Sequence, residues 1–317
     1  MLLTHLALSN FRNYAELDLE PGAGLNVFIG QNAQGKSNLL EAIAMLGTGK
    51  SFRTSRDADA VRDGMELAVV RGDARVRAGS VRLACTIAKS SRGTRKTYTV
   101  NERAVRYASF LGKIRVVTFV PSDLQLATGA PSVRRGLLNV ALAQEDPRYY
   151  REYARYRKAL AQKNALLRGA VAPDDELLAI YDRALIESGT ALMLARDHFV
   201  RALASAAAAA HERFSNGAER LEVAYAPNVA YEAPTADAVG AAFTARLRAV
   251  AEAERARKAA VCGPHRDDLT LSLDGHSLAA HGSQGQQRTA VLALKVGEYG
   301  VMRERAGEAP LLLLDDV

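Results

Sequence analysis

The sequence predicts an α/β fold: a phosphate-binding head that includes an antiparallel β-region and is interrupted by an inserted, mainly helical second domain. Three features carry this prediction. Residues 30–37, Gly-Gln-Asn-Ala-Gln-Gly-Lys-Ser, fit the pattern of a glycine, four variable residues, then Gly-Lys-Ser, the form of a loop that cradles phosphate. Residues 311–316, Leu-Leu-Leu-Leu-Asp-Asp, read as an apolar strand ending in two carboxylates. Between them the apolar pattern changes from alternation to helical spacing, which separates a β-rich part from a helical part.

Taken in order, residues 2–8 and 15–19 read as strands on either side of a polar-aromatic corner, Phe11-Arg12-Asn13-Tyr14, before Pro21 and Gly22 turn the chain. Leu25, Val27, Phe28 and Ile29 suit a buried strand leading into the phosphate loop. From Lys36 the pattern is helical, with Leu39, Leu40, Ile43 and Ala44 on one face and Gly47 and Gly49 as stop signals. The basic loop Gly49-Lys50-Ser51-Phe52-Arg53 follows, either touching a bound nucleotide or simply solvated. Over residues 66–100, Val81, Leu83, Cys85 and Ile87 alternate with other residues and a turn at Ser90 to Gly93 leads to Tyr98 and Val100, the pattern of a β-hairpin. Its tip carries Lys89, Arg92, Arg95 and Lys96, which either track a DNA backbone or form a charged edge that blocks strand pairing. Residues 115–120 read as another buried strand, ended by Pro121, with Ser122 and Asp123 as helix-start signals.

From about Pro147 the spacing is helical. Tyr149, Tyr153, Tyr156, Leu160 and Leu167 recur at helical intervals, and after a turn at residues 169–175 the pattern resumes through Leu178, Leu185, Leu192 and Phe199, predicting two helices packed as an antiparallel hairpin. The tyrosines occupy core-facing positions, which favours packing over base stacking. Arg148, Arg151, Arg155, Arg157, Lys158, Lys163 and Arg168 take many of the remaining positions and offer a basic surface to DNA, or a solvated face. Ala204 to Ala210 favours helix. A short strand near 221–225 and an Arg-rich helix over about 235–261 complete this part, giving domains at 1–121, 122–262 and 263–317.

Composition agrees with a soluble globular protein: 317 residues, 48% hydrophobic and 24% charged, enough for two domains and an ample core. The net charge of +7 points weakly to a polyanionic partner such as ATP, DNA or an anionic membrane. Cys85 and Cys262 stand far apart and form neither a disulfide framework nor a zinc pattern, and the histidines lack ligand spacing. A reducing cytoplasm is the expected compartment. No apolar run approaches the length of a bilayer span, and the amino terminus is strand-like rather than a signal peptide.

The chemistry follows from the motifs. Gly30, Gln31, Asn32, Ala33, Gln34, Gly35, Lys36, Ser37 and Asn38 are the expected nucleotide-binding set. Backbone N–H groups and the helix N-terminus meet phosphate oxygens, Lys36 reaches the β and γ phosphates, and the Ser37 hydroxyl ligates Mg²⁺. Asp315, at the end of an apolar strand expected beside the strand before the loop, is the second Mg²⁺ ligand, and Asp316 orients or deprotonates the attacking water. Lys36 and Asp316 are thus the expected catalytic pair. Ser283, Gly285 and Gln286 open a further helix and form a second anion site. With Lys36 and Asp315 so far apart in sequence, this is the arrangement of an ABC-type, SMC-like ATPase head containing a long insertion.

Over nearly its whole length the chain resembles the RecF family of bacterial recombination mediators. The resemblance rests on FRNY at 11–14, GQNAQGKSNLLEAI at 30–43, GKSFR at 49–53, FVPSDL at 119–124, RRGLLN at 134–139, GPHRDDL at 263–269, SQGQQR at 283–288 and LLLLDD at 311–316. It implies a weak ATPase that binds gapped DNA, dimerises with ATP, and acts with RecO and RecR to load RecA. Members of the family continue past the Asp-Asp pair into further elements of the nucleotide site. A chain ending at Val317 is therefore expected to be a fragment with impaired turnover. Two other functions are compatible with the motifs: an ATPase subunit of a membrane transporter, and a DNA-binding scaffold that does not hydrolyse ATP.

Overall fold

The computed structural model describes residues 1–169 and 174–315. They divide into two compact units, Met1–Asp123 together with the chain from Tyr299 onward, and Leu124–Glu298.

The first unit is built on an antiparallel sheet. Its strands are β1 (Leu2–Phe11), β2 (Tyr14–Leu19), β3 (Leu67–Val76), β4 (Gly79–Ser90), β5 (Gly93–Val100) and β6 (Arg103–Val105), in the order β2-β1-β3-β4-β5-β6. Alternation along β4 buries Val81, Leu83, Cys85 and Ile87, as period-two patterning demands. Helix α1 (Lys36–Thr48) covers the buried face, its Leu39, Ile43 and Leu46 sharing a core with Leu6, Phe11, Val70 and Leu83. A short α2 (Tyr107–Phe110) precedes β7 (Val116–Phe119). At the β4–β5 tip Arg92 and Arg95 are exposed, whereas Lys96 turns away to pair with Asp57 Oδ1 at 2.7 Å and the Gly49 carbonyl at 2.8 Å. Burial pushes the Cys85 thiol up to about 12, so it packs as an inert apolar group.

The expected buried strand at 25–29 is not formed. Leu25, Val27 and Ile29 are exposed and only Phe28 is half-buried. The local cause is Asn26, whose side chain accepts the Gly22 N–H at 2.8 Å and donates to the Gly22 carbonyl at 3.0 Å. A turn closed by a side chain competes with ladder pairing, and the extended residues that follow make no ladder bonds among the described residues.

The second unit is mainly helical: α3 (Gln125–Thr128), α4 (Pro131–Glu145), α5 (Pro147–Leu167), α6 (Asp175–Ser215), β8 (Leu221–Ala226), α7 (Ala236–Arg257), β9 (Asp268–Leu273), β10 (His276–Ser277) and α8 (Leu278–His281). The three strands form one antiparallel sheet, β10-β9-β8. Contacts of Tyr149 with Arg196, Tyr156 with Gly189, and Lys163 with Asp182 run in opposite chain directions, so α5 and α6 are an antiparallel hairpin. Its expected turn falls largely on residues 170–173, outside the described residues. Of the three tyrosines placed on the core face, Tyr149 and Tyr156 are buried, as their spacing predicts, and Tyr153 is half-buried. Lys163 departs from its expected place on a basic surface. It is 2% exposed and bridges Asp182 and Glu254, each at 2.5 Å, because a buried ammonium needs paired acceptors. Helix α9 (Gln284–Ala306) then leads back to the first unit, where β11 (Leu311–Leu314) is the last described element before Asp315.

Residues 263–269 tie the second unit together. Gly263 has φ +120°, and a side chain there would collide with the Tyr156 hydroxyl and the Phe243 ring. The Asp267 carboxylate, fully buried, accepts from Arg196 Nη1 at 2.8 Å, the Asn228 N–H at 2.9 Å and the Tyr225 hydroxyl. Arg196 also donates to the Pro264 carbonyl at 2.6 Å and to Asn139 Oδ1 at 3.0 Å. Asp268 takes a two-pronged bond from Arg134 at 2.7 and 2.8 Å. One short turn thereby links α4, α6, β8 and β9.

His265 in that turn accepts from the Tyr156 hydroxyl at Nδ1, 2.6 Å away, and its Nε2 faces the Ala260 carbonyl at 3.3 Å, an arrangement satisfied by a neutral ring. Burial pushes its pKa down to about 4, reinforced by Arg266, Arg135 and Lys163 and opposed by the Ala260 carbonyl. The unfolded chain takes up this proton first, near the ordinary value of 6.5. The stability held by the neutral ring is therefore complete above that pH and is lost as pH falls toward 4. Between these limits the stability of the wild type should fall by about 3 kcal/mol more than that of His265→Gln. Denaturant titrations of both proteins at several pH values measure the difference; parallel pH profiles would contradict it.

Candidate functional site

Within the first unit the phosphate loop is held by the corner at residues 11–14. Gly35, with φ +108°, caps α1 and meets the Asn13 side chain so closely that a Cβ would lie 2.7 Å from Asn13 Oδ1. Asn13 Nδ2 donates to the Gln34 carbonyl at 3.0 Å, the Tyr14 hydroxyl donates to the Gly35 carbonyl at 3.2 Å, and Asn38 Nδ2 donates to Asn13 Oδ1 at 2.8 Å. The corner at residues 11–14 is thus a wall of the loop, a role that sequence reasoning missed.

Behind it lies a carboxylate with no exposure. Glu41, on the inner face of α1, receives Arg12 Nε at 2.9 Å, Arg12 Nη2 at 2.6 Å and the Ser51 hydroxyl at 2.5 Å. Arg12 also reaches the Asp59 carbonyl at 2.7 Å, and Arg53 bonds Asn38. The loop at 49–53 is therefore bound to α1 rather than freely solvated. The available sequence signal was one acidic residue inside the otherwise apolar stretch Leu39-Leu40-Glu41-Ala42-Ile43, since such a residue requires a buried partner. Arg12, Asn13, Asn38, Arg53, Asp59 and Arg62 line a polar cleft of about 720 Å³ beside the head of α1.

At that head Lys36 Nζ donates to the carbonyls of Gly30 at 2.7 Å and Gln31 at 2.9 Å, closing the loop on itself. Gln31, Asn32, Ala33 and Gln34 are exposed, with Ala33 at φ +65°. The Ser37 hydroxyl donates to Asp315 Oδ1 at 2.9 Å. These two residues, far apart in sequence, are brought together as expected, by a different route. Strand β11 pairs in parallel with β7, Leu311 opposite Val116 through Leu314 opposite Phe119, and not with the segment before the loop. The Asp315 N–H continues that ladder to the Phe119 carbonyl at 2.9 Å, which aims its side chain at Ser37. Asp316, the expected general base, lies outside the described residues.

Ser283, Gly285 and Gln286 belong to the second unit and form their own arrangement. The Ser283 hydroxyl oxygen accepts the Gln286 N–H at 3.2 Å, while Gln286 Oε1 accepts the Ser283 N–H at 2.7 Å, a reciprocal cap at the start of α9. Ser283, Gln284 and Gly285 are exposed. The N–H groups of Gln284 and Gly285 sit in the first turn, where a helix has no internal acceptors for them, and the Ser283 hydroxyl acts only as an acceptor among the described residues.

Comparison with known proteins agrees with this geometry. A family model described as an AAA domain matches residues 5–122. A protein named DNA replication and repair protein RecF from Symbiobacterium thermophilum is 41% identical, covering 100% of this chain and 84% of that protein. The chain belongs to the RecF family. A RecF from Acaryochloris marina is 38% identical over 100% of the chain and 86% of its own length. A solved structure of the recombination mediator protein RecF with ATP, in the RecFOR pathway, superposes with a TM-score of 0.94 at 32% identity, covering 100% of this chain and 85% of that one. The Smc head domain from Pyrococcus furiosus shares the fold, with a TM-score of 0.51 at 14% identity. Among the described residues no helix is long and apolar enough to cross a membrane.

In this RecF-family chain, Arg12→Ala should leave the buried Glu41 carboxylate without its main partner and cost about 3 kcal/mol of stability. The double variant Arg12→Met/Glu41→Leu should recover most of it. Denaturant midpoints measure both, and an Arg12→Ala protein as stable as wild type would show that the corner does not depend on this pair.

Proposed function

We propose that this chain is an ATP-dependent, DNA-binding recombination mediator of replication and repair, acting at gapped DNA with RecO and RecR to load RecA. The observation that carries the reading is the approach of the Ser37 hydroxyl to the Asp315 carboxylate at the head of a phosphate-loop helix. Two hard oxygen donors at that spacing fit Mg²⁺. With the ion bound it would offset the negative charge of the triphosphate; Ser37 and Asp315 are the residues that would hold it.

The remaining steps belong to the chain's own groups. Phosphate oxygens replace the Gly30 and Gln31 carbonyls as acceptors for Lys36, so binding exchanges a closed loop for one wrapped around the ligand. The N–H groups from Gln31 to Asn38 and the N-terminus of α1 supply the neutral donors. The polar cleft beside Asn13 and Asn38 takes the nucleoside end. In sequence Asp316 stands next to Asp315, suited to orient water for a slow hydrolysis.

One phosphate loop surrounds only part of a triphosphate. The head that we assign to residues 1–121 and 263–317, with 122–262 as the helical insertion, therefore closes on a second copy. Ser283 and the Gly285 backbone of each subunit then meet the γ-phosphate held by Lys36 of the other, with Gln286 capping the segment that presents them. Exposure of Ser283 and Gly285 supports this reading. The exposed residues Arg148, Arg151, Arg155, Arg157 and Lys158 on α5 give each copy a basic face for a DNA backbone, and closure puts two such faces on one duplex. The protein works in the cytoplasm, where its DNA is.

The test compares Ser283→Arg with Lys36→Ala by ATP titration and by mass in solution. Ser283→Arg should bind ATP yet fail to dimerise with it, whereas Lys36→Ala should lose about tenfold or more in ATP affinity. Normal ATP-induced dimerisation of Ser283→Arg would contradict the composite site, and unchanged affinity of Lys36→Ala would contradict the phosphate-loop assignment.

A further inference from the structure

The capped head of α9 is not held by its own helix alone. Gln286 uses its Oε1 on the Ser283 N–H, and its Nε2 donates to Glu219 Oε1 at 2.8 Å. Glu219 lies in the short link between α6 and β8, 67 positions away in sequence. Its other oxygen, Oε2, lies 3.8 Å from Nε2 of His211, a fully buried ring on the last turns of α6 that makes no hydrogen bond among the described residues. The link begins as a tight, hydrogen-bonded turn. Asn216 at φ 50° and Gly217 at φ 73° end α6, the Gly217 N–H returns to the Glu212 carbonyl at 2.9 Å, and the Ala218 N–H returns to the Ser215 carbonyl at 3.0 Å. Farther along, α9 packs against α6 so tightly that a side chain at Gly297 would lie 2.8 Å from the Ala207 backbone nitrogen.

We propose that Glu219 is a positioning residue for the composite nucleotide site, fixing Gln286 and through it the orientation of Ser283 and Gly285. The proposal rests on the reading of α9 as the segment that meets a partner's γ-phosphate. A glutamine side chain free to rotate would break the cap from one side, and the Ser283 N–H would lose its acceptor. With Nε2 held by a carboxylate, the amide cannot flip, because Oε1 would then face Glu219 oxygen to oxygen. The cap therefore stays formed before any ligand arrives, and the donors of Ser283, Gln284 and Gly285 are directed outward without an ordering cost at dimerisation.

The experiment measures ATP-induced dimerisation by light scattering, and ATP binding by titration, in the intact protein. Glu219→Ala should bind ATP as wild type does yet dimerise about tenfold more weakly, the loss of one charge-assisted hydrogen bond. Glu219→Gln, which keeps an acceptor for Gln286, should dimerise nearly as wild type. Gln286→Glu sets two carboxylates together and should weaken dimerisation at least as much, and adding Glu219→Gln to it rebuilds a donor-acceptor pair and should restore most of the loss. Wild-type dimerisation of Glu219→Ala, with Ser283→Arg still defective, would overturn the positioning role while leaving the composite site standing. Failure of the double variant to recover would also overturn it, since the loss would then not pass through this pair. Normal dimerisation of Ser283→Arg would instead remove the composite site itself, and the role of Glu219 with it.

Discussion

The first unit depends on keeping a carboxylate out of water at Glu41. An ionised acid in an apolar core is expensive unless every oxygen is met by a donor. Meeting that demand brings Arg12 in from the β1–β2 corner and Ser51 in from the loop after α1. Once Arg12 is committed, Asn13 and Tyr14 fall against the phosphate loop, where they hold the Gln34 and Gly35 carbonyls. The loop thus takes its shape from the wall in front of it, since residues 25–29 add no ladder bonds among the described residues.

The second unit repeats this logic with different residues. Asp267 is as deeply buried as Glu41, and Arg196 answers it from the middle of α6. Because Arg196 also binds the Pro264 carbonyl and Asn139, one pair decides how α4, α6 and the turn at 263–268 meet. Breaking such a pair is costly, whereas replacing both partners with apolar groups need not be. Its value here is therefore a defined arrangement of α4, α6 and the turn.

Much of this was legible in the sequence, for a physical reason. The alternation along β4 and the spacing of Tyr149 and Tyr156 depend on neighbours within a turn or a pleat, and both were read correctly. What escaped were contacts between distant residues. Arg12 meets Glu41 across 29 positions and Arg196 meets Asp267 across 71, and neither pairing leaves a local periodicity. Lys163 looked like a surface cation by its type, and only the approach of Asp182 and Glu254 makes its burial tolerable. The short apolar run at 25–29 read as a buried strand, but such a run reports propensity and not the presence of a partner. Ser37 and Asp315 were matched through their motifs, although β11 reaches its place by pairing with β7.

Nucleotide state and DNA affinity are linked if closure over ATP aligns two basic faces, because a ligand that favours the closed form must favour whatever else that form binds. The most direct test is binding of the intact protein to a gapped duplex, measured with and without ATP and Mg²⁺. With both present the affinity should rise at least about tenfold, and Lys36→Ala should abolish the increase. Equal affinity under the two conditions, or an increase that persists in Lys36→Ala, would contradict the coupling.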